Sequence, residues 1–125
     1  MDSTREKLYN EIEKSVGHTP LVSYDKEVPR DNRILIKEEC ENPYGNNHYD
    51  RVYPALFRYY EELGIIKPGD KVLETTSGSA GVSFTAIGRL LGYDCHIAIP
   101  EGVDRAVIEL ITKNDATLYF TPEKD

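Results

Sequence analysis

The sequence predicts an α/β domain, a parallel sheet covered by helices in three layers. Three observations predict it. Apolar strand-like runs alternate with helical stripes along the chain. One stretch, Lys71-Val72-Leu73-Glu74-Thr75-Thr76 then Ser77-Gly78-Ser79-Ala80-Gly81 and a mostly apolar run to Leu91, reads as strand, small-residue turn and helix. A length of 125 residues suits one domain with one core.

Each element has its own signal. Ser3-Thr4-Arg5-Glu6 has the S-x-x-E form of a capping box and predicts a helix over 4–15 with Gly17 as its stop. The helix has a thin apolar stripe, Leu8, Ile12 and Val16 with Tyr9 alongside, which predicts a surface position, against a partner for instance. Pro20 holds Thr19 extended, and 21–24 reads as a short strand. A polar loop with Pro29 leads to the apolar run Ile34-Leu35-Ile36-Lys37-Glu38-Glu39, a second strand. The chain divides on this reading into a helix and extended arm, 1–33, and a parallel α/β domain, 34–125.

Pro43-Tyr44-Gly45 and Asn46-Asn47 mark a turn. A helix follows, with Pro54 in its first turns and Tyr53, Leu56, Phe57, Tyr60 and Leu63 as its core-facing stripe. Lys67-Pro68-Gly69-Asp70 turns into the strand at Lys71. After Gly92, Cys95-His96-Ile97-Ala98-Ile99-Pro100 is a strand, and a helix over 104–113 turns Val107, Leu110 and Ile111 inward. Thr117-Leu118-Tyr119-Phe120-Thr121 is the last strand.

Composition narrows the function. Hydrophobic residues make up 39% and charged residues 30%, a folded domain with a wet surface. A net charge of −7 argues against a nucleic-acid or anionic-membrane partner. No stretch has membrane-spanning length and the N-terminus has no apolar signal region. Two cysteines, Cys40 and Cys95, form no disulfide framework and fit a reducing compartment, so cytoplasm is expected. His18 and His96 have no metal-ligand spacing with either cysteine, and no metal site is expected.

In a parallel sheet, ligands sit beyond the carboxyl ends of the strands. Three loops should share that edge: 40–49, 75–80 and 100–104. The turn at Gly78 and Gly81 opens a helix, whose first N–H groups lack intrahelical acceptors and favour a carboxylate or phosphate. Close packing of strand on helix explains the same glycines equally well. The turn has neither G-x-G-x-x-G nor a Walker lysine, and Ser77 stands where a nucleophile elbow needs glycine.

Several ordered motifs resemble the N-terminal part of the fold-type II pyridoxal-phosphate enzymes, nearest to cysteine synthase and cystathionine β-synthase. Gly17-His18-Thr19-Pro20-Leu21-Val22 is similar to their G-N-T-P-L-V. Glu39-x-x-Asn42-Pro43-Tyr44-Gly45 with Asp50-Arg51 is similar to E-x-x-N-P-T-G-S-x-K-D-R, and Gly64-Ile65-Ile66-Lys67-Pro68-Gly69-Asp70 to G-x-[IL]-K-P-G-D. Thr76-Ser77-Gly78-Ser79-Ala80-Gly81 resembles T-S-G-N-T-G. The resemblance implies the small-domain fold, pyridoxal 5′-phosphate as cofactor and β-replacement on serine or an acylated serine.

The departures fall on the chemistry that the resemblance implies. Tyr49 stands where the family's lysine forms the Schiff base, in a loop one residue longer, and a phenol forms no imine. Tyr49 is then a structural tyrosine or an acid/base phenol. Ser79 replaces the asparagine that contacts the cofactor ring, and Ala80 the threonine that helps bind the substrate carboxylate. Thr76, Ser77 and Gly78 remain as carriers of an anion site. The chain ends at Asp125, about where the family's small domain ends. The expectation is a truncated or degenerate cysteine synthase-like domain, inactive alone. An amino-acid or anion-binding module, or an assembly half-domain completed as a homo-oligomer or by a partner chain, is the alternative.

Overall fold

A computed structural model describes residues 1–122. Helix α1 covers Ser3–Ser15, strands β1 and β2 Leu21–Tyr24 and Ile34–Lys37, and helix α2 Tyr53–Glu62. Strand β3 (Lys71–Thr75), helix α3 (Ser79–Leu90), strand β4 (Asp94–Pro100), helix α4 (Arg105–Lys113) and strand β5 (Thr117–Thr121) follow. The α/β class holds: β3, β4 and β5 form a parallel sheet in that order. The end of the expected second segment, 123–125, lies outside the described residues.

The register decides what each face of the sheet does. Val72 pairs with Cys95 and Glu74 with Ile97, so Val72, Cys95, Ile97 and Ile99 share one face. That face meets the helices: Phe57 of α2, Ile87 of α3 and Ile111 of α4 join Cys95, Ile97 and Ile99 in one core. A Cβ on Gly88 would lie 2.4 Å from Cys95 Sγ and 3.1 Å from the Phe57 ring, which measures how closely α3 approaches the sheet. The opposite face carries Leu73, His96, Ala98 and Tyr119. Leu73 is 64% exposed and Tyr119 51%, so no helix among the described residues covers it. The two helical layers of the expected three-layer arrangement reduce to one here.

Strands β1 and β2 differ from the expected parallel sheet. They pair antiparallel with each other, Leu21 opposite Lys37, in a separate ribbon. The ribbon bridges the expected boundary at residue 33. Its side chains Leu21, Tyr24, Ile34, Leu35 and Ile36 are exposed. Strand identity was legible from apolar runs; the pairing partner was not, because two four-residue strands carry no register signal of their own.

Helix α1 is capped by Asp2, whose carboxylate accepts the Arg5 N–H at 2.8 Å, and not by Ser3. Nor does α1 lie loosely on the surface. Tyr9 is fully buried and Ile12 nearly so. The Tyr9 and Tyr93 hydroxyls both donate to Glu61 Oε2, at 2.5 and 2.9 Å, and Arg5 grips the same carboxylate. A thin apolar stripe suffices because polar side chains complete the seam with α2. The expected stripe on α2 splits: Tyr53 and Phe57 are buried, but Leu56, Tyr60 and Leu63 are exposed. Leu56 and Tyr60 line an open groove of about 440 Å³ beside β3, which is an edge strand. Leu110 of α4 likewise points outward, leaving Ile111 as that helix's buried anchor.

Candidate functional site

The carboxyl end of β3 runs into the turn 76–78 and then α3. Thr76 N–H makes the last ladder bond, to Ala98 O at 3.1 Å. Thr76 Oγ1 then accepts the Gly78 N–H at 3.1 Å. A Thr side chain turning back on the backbone two residues ahead is an ST-turn. The Gly78 amide, expected as an anion donor, is therefore engaged locally. Among the described residues, the N–H groups of Ser77, Ser79 and Ala80 meet no acceptor. These are the donors that this helix end offers an anion. The two glycines separate cleanly. A Cβ on Gly81 would lie 2.7 Å from Thr76 and 3.0 Å from Ile111, a packing requirement, whereas Gly78 opens onto empty space. Gly81 follows the structural reading of the turn and Gly78 leaves room for a ligand.

The second wall is the loop from Asn42 to Arg51. Asp50 is fully buried, and its carboxylate accepts the N–H of Tyr44 at 2.7 Å and of Gly45 at 2.8 Å. Asn42, also fully buried, accepts the Gly17 N–H and donates to Glu39. Arg51 forms two 2.8 Å hydrogen bonds to Glu39. Glu39 also accepts from Thr19, and these donors, Arg51 foremost, hold its carboxyl down at about 2. Gly17 has a positive φ of 81°, and a Cβ there would meet the Arg51 guanidinium at 2.8 Å. The motif residues Gly17, Thr19, Glu39, Asn42, Asp50 and Arg51 thus form one framework that shapes the loop.

Tyr49 lies in a short 3-10 turn, His48–Arg51, that packs against α3. Its half-buried ring contacts His48, centroids 4.2 Å apart, and faces Tyr53 at 6.5 Å. The Tyr49 hydroxyl meets no hydrogen-bond partner among the described residues, and His48 is exposed. Tyr53 reaches Glu74 Oε2 at 3.3 Å; burial first, then that carboxylate, raise its phenol above the ordinary value. Asn47 joins loop to helix: its amide donates to Ser79 O at 3.2 Å. Ser79 and Ala80 open α3, Ser79 exposed and Ala80 half-buried. Sequence reading missed Asn47, seen there only as loop chemistry, and missed Asp50 as the loop's anchor. Thr-x-Gly after a strand was the available signal for the ST-turn.

The third expected loop closes the same edge. A hollow of about 660 Å³ is lined by Ser77, Pro100, Glu101, Val103, Asp104 and Thr121. Asp104 caps α4 by accepting the Ala106 N–H at 2.7 Å. Cys40 is exposed and Cys95 buried, both free. Among the described residues no helix is long and apolar enough to cross a membrane.

Residues 12–125 match the family model described as pyridoxal-phosphate dependent enzyme. The chain is 36% identical over 126 residues to a cysteine synthase of Aquifex aeolicus, covering 96% of this chain and 38% of that protein. It is 32% identical to a cysteine synthase of Dictyostelium discoideum, covering 92% of this chain and 30% of that one. Among solved structures, an O-ureido-L-serine synthase superposes with a TM-score of 0.82 at 27% identity, over 89% of this chain and 35% of that chain. A hydrogen sulfide-producing enzyme of Fusobacterium nucleatum does so with a TM-score of 0.81 at 26% identity, over 89% and 36%. The chain spans 30–38% of the length of these relatives.

Proposed function

Because this chain belongs to the pyridoxal-phosphate-dependent enzyme family, we propose that it is a cysteine synthase-like domain that receives an anion at the start of α3 and performs no imine chemistry of its own. The carrying observation is Tyr49. It occupies the place before Asp50-Arg51 where the resemblance puts a lysine, on a loop tied to Ser79. A phenol has no amine nitrogen and forms no imine with an aldehyde. No lysine falls between Lys37 and Lys67. Lys37 is bonded to Thr19 and paired with Glu39, and Lys71 starts β3 at the end away from the turn. These residues do not fit covalent pyridoxal phosphate. The free N–H groups of Ser77, Ser79 and Ala80 suit a carboxylate or phosphate held without a covalent bond.

The relatives are named as synthases of cysteine and of O-ureido-L-serine, both small amino acids, so the expected ligand is a small amino acid or its anionic derivative. A cytoplasmic setting belongs to the proposal and rests on the two free thiols. The test is titration with pyridoxal phosphate followed by borohydride and intact mass, beside an assay with serine or O-acetylserine plus sulfide. The expected result is no saturable single-site adduct, only slow labelling of exposed lysines such as Lys7, and no turnover. Sustained turnover overturns the proposal.

One observation favours a second reading, an assembly piece. The outer sheet face exposes Leu73 and Tyr119, and the ribbon exposes Leu21, Ile34, Leu35 and Ile36. Exposed apolar area of this kind marks association surfaces. Light scattering across a concentration series is the check; a constant monomer mass removes this reading.

A further inference from the structure

We infer that Asn47 is the positioning residue that sets where side chain 49 stands against the start of α3. The inference rests on the proposal that this helix start is the ligand site. Four hydrogen bonds meet on the Asn47 amide. Its Nδ2 donates to Gly45 O at 2.8 Å and to Ser79 O at 3.2 Å. Its Oδ1 accepts the Tyr49 N–H at 2.8 Å and the Ser83 hydroxyl at 3.0 Å. The chemistry fixes the amide orientation: both Nδ2 partners are carbonyls and both Oδ1 partners are donors. Only a side chain with two donors and an acceptor fills all four roles. Aspartate has no donor, and serine is too short to span loop and helix.

The surroundings leave the loop little freedom. The Asp50 carboxylate holds Gly45 N–H while Asn47 holds Gly45 O, closing the segment on itself. A Cβ on Gly45 would lie 2.1 Å from Ser83 Oγ, so the loop rests directly on α3. Asn46 takes a left-handed φ of 53° and ties its side chain back to Asn42 O. It bulges outward while Asn47 stays half-buried. The loop is one residue longer than the resembling motif, and Asn47 ties that longer loop to the helix at Ser79 and Ser83.

The competing account is that Asn47 merely caps the 3-10 turn, since its Oδ1 takes the Tyr49 N–H. The two accounts part on Asn47→Ser, which keeps a capping oxygen and loses the bond to Ser79 O. Two measurements decide. In the otherwise unchanged chain, Asn47→Ser should displace the amide resonances of Ser79 and Ser83 in ¹⁵N–¹H spectra while the chain still melts in one cooperative transition. A cap-only role moves Tyr49 and leaves α3 alone, and that result overturns the inference. In a Tyr49→Lys background, pyridoxal phosphate with borohydride should modify the introduced amine, and adding Asn47→Ser, which removes the two Nδ2 bonds and the tie to Ser83, should slow that modification at least about tenfold. Equal rates overturn the inference. If Tyr49→Lys takes no adduct while the α3 resonances still move, Asn47 keeps its role and the ligand reading of the helix start is what fails. Ser83→Ala, which removes one of the four bonds from the helix side, should shift the Ser79 amide resonance less than Asn47→Ser does.

Discussion

Arg51 and Glu39 face each other through two parallel hydrogen bonds, Nε to Oε2 and Nη2 to Oε1, each 2.8 Å. Residues twelve apart in sequence thereby lock the loop that carries Tyr49 to the end of β2. The Glu39 carboxyl lies at about 2, against an ordinary 4.5, with Arg51 as the chief cause. A depressed carboxyl stabilises the fold above its ordinary value, and that contribution drains away as pH falls from about 4.5 to 2. Melting temperature should therefore fall across that window in the native chain and fall less in Glu39→Gln, measured by circular dichroism.

The cluster of Glu61 with Arg5, Tyr9 and Tyr93 should hold α1 in place. Burial pushes the Glu61 carboxyl up, but Arg5 and the two phenols outweigh it and the net direction is down. Glu61→Gln loses the charge-assisted bonds and should cost about 2 kcal/mol in urea unfolding. An unchanged midpoint would show that apolar packing alone docks α1.

Alkaline titration tests the same seam from the other side. Burial, then Glu61, raises the Tyr9 and Tyr93 phenols above their ordinary 10. A raised phenol favours the folded state below its unfolded value, and that advantage is lost as pH climbs beyond 10. Ultraviolet titration should show these phenols ionising only with unfolding.

Gly78 and Gly88 should respond oppositely to alanine. Gly88→Ala forces a methyl against Cys95 and Phe57 and should destabilise by about 1–3 kcal/mol. Gly78→Ala meets open space at an extended φ of 178° and should melt like the native chain. If the turn holds an anion, the same methyl should weaken phosphate-induced thermal shifts; an unaltered shift would place the anion elsewhere.

The two thiols should separate under a chromogenic thiol reagent. Exposed Cys40 should react in the folded chain. Cys95 is 3% exposed, and burial lifts its thiol to about 12, so it should react only after denaturation.

The sequence by itself determined the element order, the strand-turn-helix at Lys71 to Leu91, and the edge where three loops meet. Those features follow from apolar periodicity and from Gly and Pro, which act on neighbours within a turn or two. Motif spacing, a linear property, also carries the expectation that Tyr49, Ser79 and Ala80 stand at the family's chemical positions. The tertiary structure alone decided that β1 pairs with β2, that α1 buries Tyr9 beneath Arg5 and Arg58, and that Thr76 rather than a ligand takes the Gly78 N–H. It alone joined Asn47 to Ser79, thirty-two residues on. Hydrogen bonds between distant side chains leave no period in the sequence, because each partner is chosen by the packing that brings them together.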